Sequence, residues 1–246
     1  ARTLDEHLRV ASAPWRDVRI VSVLLSILAV PGTWLLTRRF LGDLWALLAT
    51  AFFASSLMQS DFSAQDRPHG MVTTFVLFAV LAAIRLRRRG DVGSYLLAGV
   101  TAGLAIGALQ SGLAVLPAFL AAIVLQEREQ GRASRWWALA SLSIVALCVR
   151  WLYPFHFVSD ADNVVLGTER GESAVNLSGH VIFLEGFDGS GFRRIVTSMW
   201  FWDPILSFAC LTGLVFFVLR LARRGRPLEG SRRKDLLVVA AYALPF

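Results

Sequence analysis

Charge in this chain is confined to short stretches between long, nearly uncharged apolar runs. Eight runs follow one another: Val18–Leu36, Leu44–Met58, Gly70–Ile84, Ser94–Leu109, Leu113–Leu125, Trp136–Tyr153, Pro204–Leu219 and Leu236–Phe246. Every backbone polar group in lipid must be satisfied within its own segment, so such runs read as helices that cross a bilayer. Several fall short of the ~20 residues that span the hydrocarbon. Flanking Trp, Arg and Ser are expected to complete them at the interface. Gln110-Ser111-Gly112 divides one uncharged stretch, so Ser94–Leu125 is expected to form a tight helical hairpin, with Pro117 kinking its second arm. The chain is 55% hydrophobic and its mean hydropathy is +0.56, too apolar for an ordinary water-soluble domain. The expected fold is all-α: a polytopic transmembrane helical bundle of about eight spans. It forms one domain over residues 1–246, with a long outer-face loop at 154–197. The chain begins at Ala1 and stops at Phe246 inside an apolar run, so it is expected to be a fragment truncated at both ends.

Alternating the loops separates the charges. One side receives sixteen of the 25 bases and six of the 18 acids, a net of +10, chiefly at Arg38-Arg39, Arg85–Arg89, Arg128–Arg135 and Arg220–Lys234. The other side receives nine bases and twelve acids, a net of −3, and the two sides sum to the chain's +7. By the positive-inside rule the Arg-rich side is cytoplasmic. The basic balance is therefore a topology signal that also meets anionic headgroups, and nucleic acid is not an expected partner. The expected location is the inner (plasma) membrane. Ala1–Asp17, residues 59–69, Gln110–Gly112 and residues 154–197 then lie on the outer face. Residues 154–197 combine acids with Val181-Ile182-Phe183-Leu184, Phe187 and Phe192, and are expected to form short interfacial helices.

The densest polar feature is Asp61-Phe62-Ser63-Ala64-Gln65-Asp66-Arg67-Pro68-His69, set between two apolar runs. Polar groups at the mouth of two spanning helices are costly unless they meet headgroups, water or a substrate. The Arg67 guanidinium can neutralise a lipid phosphate with its planar fork. Asp61 or Asp66 can serve as a base or hold a metal, and His69 can orient a phosphate or ligate a metal. The bland alternative is a solvated loop with an Asp66–Arg67 surface pair of little energetic value.

Other features weigh less. No P-loop, Gly-x-Gly-x-x-Gly, His-Glu-x-x-His or Cys-x-x-Cys occurs. Gly99, Gly103 and Gly107 recur every fourth residue, which reads first as close helix packing. Cys148 and Cys210 both fall in apolar runs and read as buried small hydrophobes. His180, after Gly179 in the acid-rich outer loop, is a candidate metal or phosphate ligand, against the plainer reading of an exposed histidine. Asp5-Glu6-His7 reads first as a solvated turn or amphipathic helix. Trp200-Phe201-Trp202-Asp203-Pro204 reads as an aromatic belt ahead of a helix start.

The order of parts also resembles a known superfamily. Arg19-Ile20-Val21-Ser22-Val23-Leu24-Leu25 leads a helix ending in Leu36-Thr37-Arg38-Arg39-Phe40-Leu41-Gly42. Ser63–Gly70 follows one apolar helix later, and then Tyr95-Leu96-Leu97-Ala98-Gly99-Val100-Thr101-Ala102-Gly103-Leu104-Ala105. Together these resemble the GT-C glycosyltransferases of the dolichyl-phosphate-mannose protein mannosyltransferase and ArnT-like families. The resemblance covers most of Arg19–Pro117 and extends more weakly through Gly179-His180 and Trp202–Gly213.

The resemblance implies an enzyme that takes a sugar from a polyprenyl-phosphate carrier on the outer face. The acceptor is a protein, a lipid or a glycan. Such enzymes usually invert the anomeric carbon. An acidic residue of the first outer loop acts as base, and basic groups hold the donor phosphate, sometimes with a divalent metal. Arg67 matches the arginine of this stretch, with Gln65 and His69 beside it as further donor-phosphate contacts and Asp61 and Asp66 as supporting acids. Gly179-His180 matches a pair in the later outer loop. Two departures stand out. The acidic catalytic motif is expected upstream of this chain, because Asp5-Glu6 lies too near Arg19, so the piece alone is expected to be inactive. Relatives often carry a lysine where this chain has Gln110-Ser111-Gly112. A transporter or flippase would bury charge at mid-membrane, whereas here the helix centres are nearly free of charge. A non-catalytic assembly protein would lack the upstream acidic motif.

Overall fold

The structure, a computed structural model, describes residues 19–64, 69–126, 136–152, 174–177, 180–183, 190–222 and 230–243. In chain order these form α1 (Arg19–Thr37), α2 (Asp43–Ala54), α3 (Leu57–Ala64), α4 (His69–Arg89) and α5 (Val92–Ala108). A 3-10 turn (Gln110–Ala114) leads into α6 (Val115–Val124), followed by α7 (Trp136–Leu152). Strands β1 (Ala174–Leu177) and β2 (His180–Phe183) precede α8 (Ser190–Trp202), α9 (Pro204–Ala222) and α10 (Gly230–Ala243). The architecture is mostly helical, as expected. Among the described residues two helices, α1 and α4, are long and apolar enough to cross a membrane.

The apolar residues face outward as well as inward. Leu24, Ile27, Leu44, Trp45, Leu47, Trp151, Ile205 and Phe208 all have exposed side chains. Water would penalise that surface at roughly 25 cal/mol per Å², whereas hydrocarbon would not. The inward faces mix alanines with larger side chains. One cluster joins Val80, Ile84, Leu86, Tyr95, Ala98, Phe119 and Val238. A second joins Val76, Ala79, Ala102, Ile106, Val115 and Val145.

Glycine sets the closest approach. A Cβ at Gly99 would lie 2.4 Å from Ser141 Oγ and 2.8 Å from the Ser141 carbonyl oxygen. At Gly103 it would lie 2.5 Å from Cys148 Cβ. The stripe thus lets α5 and α7 meet backbone to backbone, and Ser141 Oγ donates to the Tyr95 carbonyl at 2.6 Å across the same seam. Gly112 brings the 3-10 turn back onto α5, because a Cβ there would lie 2.2 Å from the Ala105 carbonyl oxygen. The expected helical hairpin is present. Pro117 lies in the first turn of α6, directly after the 3-10 turn.

In α1 a one-residue break at Leu28 precedes Pro31, whose ring cannot donate to the carbonyl one turn back. Thr74 of α4 donates to the Leu25 carbonyl at 2.8 Å there. Three hydroxyls of α1 bond back along their own helix, Ser26 to Ser22 O at 2.7 Å, Thr33 to Ala29 O at 2.9 Å and Thr37 to Thr33 O at 2.7 Å.

The Arg-rich end is the most tightly tied part. Arg87 and Asp235 are both fully buried, with Arg87 Nε donating to Asp235 Oδ1 at 2.6 Å. Arg88 Nε holds the other carboxylate oxygen at 2.8 Å, and Arg87 reaches Ser231 Oγ at 2.9 Å. These contacts bind α10 to the last turn of α4, where positive charge also suits the helix dipole. Gly90, at φ 63°, ends α4, and Asp91 caps α5 by accepting from the Ser94 amide at 2.8 Å.

Three further expectations change. The run Leu44–Met58 is broken at Ser55-Ser56, and α3 carries the chain on through Ala64. Residues 154–197 were expected to form interfacial helices within an all-α fold. Residues 190–197 are helical, as the first part of α8, but residues 174–183 include an antiparallel hairpin in which Leu177 pairs with His180 and Ala174 with Phe183. The β-branched residues Val175, Val181 and Ile182 favour strands, and the intervening Ser178-Gly179 is a turn-type pair. Cys148 is partly buried against Gly103, but Cys210 is exposed on α9.

Candidate functional site

The end of the bundle opposite Arg87–Arg89 carries the candidate site. Here α2 ends at Ser55, and Ser56 opens α3. Ser56-Leu57-Met58-Gln59 has the Ser-x-x-Gln spacing of a helix start, and the Gln59 amide donates to Ser56 Oγ at 3.2 Å. The Ser56 hydroxyl in turn donates its proton to Asp203 Oδ2 in a short contact. One hydroxyl therefore starts α3 and ties it to the α8–α9 junction.

Asp203 is positioned by its neighbours. Pro204 takes the first position of α9, where its missing amide costs nothing. The Asp203 amide donates to the Met199 carbonyl at 2.9 Å, and the Asp203 carbonyl accepts from the Ser207 amide at 2.9 Å. Asp203 is buried, as is Ser56. Burying a carboxylate is expensive unless hydrogen bonds satisfy it, which makes the Ser56 contact a condition of this arrangement. Gln59 Nε2 and Ser207 Oγ, one turn away on either side, have no hydrogen-bond partner among the described residues. Polar capacity thus remains beside Asp203.

Asp61 is exposed on α3, on a helix instead of in the loop the sequence suggested. His69 opens α4, partly buried, with its carbonyl accepting from Thr73 Oγ1 at 3.0 Å. Gln65, Asp66 and Arg67 lie outside the described residues. His180 is the first residue of β2, and its side chain is likewise outside what the structure describes. Among the described residues no three His, Cys, Asp or Glu side chains gather into a metal-binding group. Sequence reasoning placed Asp203 only in an aromatic belt and passed over Ser56. The Ser-x-x-Gln spacing and the Asp-Pro pair were the available signals.

A helix of 21 residues, α4, separates this end from the Arg-rich end. At 1.5 Å per residue that is ~30 Å, about the thickness of a bilayer's hydrocarbon. Asp61 and His69 stand at one end of α4 and Arg85, Arg87, Arg88 and Arg89 at the other.

No curated protein and no solved structure matches the chain. The family model described as dolichyl-phosphate-mannose-protein mannosyltransferase matches residues 7–153. That match runs beyond Arg19–Pro117 in both directions and stops before His180 and Asp203. It takes in α1 to α7, all of Asp61–His69 and the glycine stripe that joins α5 to α7. With more than half its length matched, this chain belongs to the dolichyl-phosphate-mannose-protein mannosyltransferase family of membrane glycosyltransferases, within the GT-C superfamily.

Proposed function

We propose that the protein transfers a sugar from a polyprenyl-phosphate donor to a protein, lipid or glycan on the non-cytoplasmic face of the inner membrane. The observation that supports this reading most is the family match, which includes the whole Asp61–His69 stretch. In this reading the helices form about eight spans, and the Arg-rich loops are cytoplasmic. Residues 59–69 and 154–197 face outward.

The chemistry asks for little covalent work from the protein. The acceptor's nucleophilic oxygen or nitrogen attacks the anomeric carbon, and the bond from that carbon to the phosphate oxygen breaks. Polyprenyl phosphate leaves with the electron pair, and a base takes the acceptor's proton. Arg67 holds the departing phosphate, with Gln65 and His69 beside it. Charge developing on that phosphate is where a fixed guanidinium contributes most. Asp61 and Asp66 support the site and are its candidate bases within this chain. His180 is proposed to hold phosphate or a divalent metal.

The test is a turnover assay of the full chain, in its complete natural length, with a panel of polyprenyl-phosphate sugars. Arg67→Ala is expected to lower turnover roughly 100-fold with the preferred donor. Unchanged turnover removes Arg67 as a donor ligand. Movement of the intact lipid-linked sugar across the bilayer without transfer would favour a flippase.

A further inference from the structure

The Arg-rich end holds more than the Arg87–Asp235 tie. A cleft of about 240 Å³ opens beside it, lined among the described residues by Arg39, Arg85, Arg88 and Arg89. Three of these come from the last turns of α4. Arg85 stands three residues from Arg88 and four from Arg89, so they share one helix face, where like charges repel. The fourth, Arg39, reaches in from the α1–α2 turn. Nothing in the helix geometry requires it: the adjacent Arg38 turns elsewhere, to Asp43 at 2.7 Å and over the Trp34 ring at 4.7 Å.

Among the described residues, the acids nearby do not balance the cleft. Asp235 is buried, and both its oxygens already bind Arg87 and Arg88. Asp91 acts on Arg85 and Arg89 from a distance while its carboxylate caps α5. Burial, and then the neighbouring Arg88, pull the Arg39 guanidinium below its ordinary value, with Asp235 only partly opposing. The cleft is therefore a concentration of fixed positive charge, half-buried at Arg39 and exposed at Arg85, Arg88 and Arg89. The Arg87–Asp235 pair beneath it holds Arg88 in place, so the cleft is preorganised.

We propose that this cleft binds the phosphate headgroup of an anionic membrane lipid, at the end of the bundle opposite the proposed donor site. Guanidinium forks match phosphate oxygens, and basic pockets at the ends of membrane helices suit such headgroups. The source is a lipid because the wall below the cleft is apolar and outward-facing. Leu41 and Leu35 are exposed beside Arg39, and Leu28, Leu24 and Ile20 continue the exposed strip along α1. An acyl chain hanging from a phosphate in the cleft has that strip to lie on.

The experiment compares the full chain with the Arg39→Gln/Arg85→Gln variant, purified in neutral detergent. Each is titrated with phosphatidylglycerol, phosphatidylcholine or sodium pyrophosphate. Bound lipid is read by native mass spectrometry and stability by thermal unfolding. The expected result is retention of phosphatidylglycerol by the wild type and a roughly tenfold to thirtyfold loss of affinity in the variant. The variant is expected to unfold at the same or a higher temperature without lipid, because like-charge crowding is relieved. Arg38→Gln, on the same turn but outside the cleft, is expected to keep the wild-type response. Equal retention of phosphatidylcholine, undiminished phosphatidylglycerol binding in the variant, or pyrophosphate acting as strongly as the lipid would each overturn the proposal.

Discussion

The two ends of α4 treat charge in opposite ways. At the Arg87–Arg89 end, Arg87 and Asp235 are buried and paired to join helices, Asp235 also grips Arg88 and Asp91 caps α5, while Arg85, Arg88 and Arg89 stay exposed. At the His69 end, Asp61 is exposed and His69 only partly buried, and the carboxylate of Asp203, buried there among the described residues, accepts from the Ser56 hydroxyl. The first end is built for rigidity. The second leaves Asp61 exposed and His69 partly so, as the proposed donor site would require. The difference teaches that a high density of charge in a membrane protein does not by itself mark the reacting face. What matters is whether the charges already satisfy one another.

The comparison breaks most sharply at Asp235. Asp235→Ala leaves Arg87 buried with its charge uncompensated, and is expected to destabilise the fold by about 3–5 kcal/mol. Thermal unfolding in detergent reads this directly. Joint replacement of Arg87 by Met and Asp235 by Leu is expected to recover most of the loss, since apolar pairs of similar volume pack well in such places. A smaller effect is expected between the two ends, at the glycine stripe. Gly99→Ala pushes a Cβ into Ser141 and is expected to cost about 1–3 kcal/mol. Denaturation with loss of the α5–α7 contact, followed by a cysteine cross-link across that seam, checks it.

At the His69 end, Ser56→Ala removes both the α3 cap and a hydrogen bond to the buried Asp203 carboxylate, and is expected to cost about 1–3 kcal/mol in stability. Its effect on turnover is expected to exceed that on stability, because Asp61 rides on α3. Equal, small effects on both would make Ser56 a cap and nothing more. The smallest effect concerns Asp91. The Ser94 side chain, then its amide, with Arg85 and Arg89 beyond, holds the Asp91 carboxyl below the usual carboxylate range. A carboxylate depressed by folding contributes stability above its unfolded pKa and loses it as pH falls through the folded one. Unfolding scans below about pH 4 should therefore show a loss in the wild type, of a few tenths of a kcal/mol, roughly. Asp91→Asn keeps the cap and should lack that acid dependence.

Much of the helical layout was legible because lipid imposes it. Uncharged runs, the arginines that close α4 and the glycine spacing of α5 all follow from local rules. The exposure of Cys210 was not legible, since a lipid-facing surface and a helix interior share the same apolar composition. The two ties that organise the ends were not legible either. Ser56 and Asp203 lie 147 positions apart, and Arg87 and Asp235 lie 148 apart. No periodicity records which distant acid will meet a given hydroxyl or guanidinium. The hairpin was missed for another reason. Its strands are four residues each, and the aromatic residues around them drew the reading toward interfacial helices. At the candidate site the pattern of residue types in Asp61–His69 was readable, but Asp203 was hidden inside an aromatic run.

Those two long-range ties share one property. In each, the residue within the family-matched segment, Ser56 or Arg87, takes its partner from beyond residue 153. A shortened chain ending there would keep the entire family signature. It would also strip the acid from a buried guanidinium and release the hydroxyl that starts α3. The part of the sequence by which relatives are recognised is thus not a unit that stands alone, and the less recognisable third of the protein supplies the counter-charge on which the recognisable part depends.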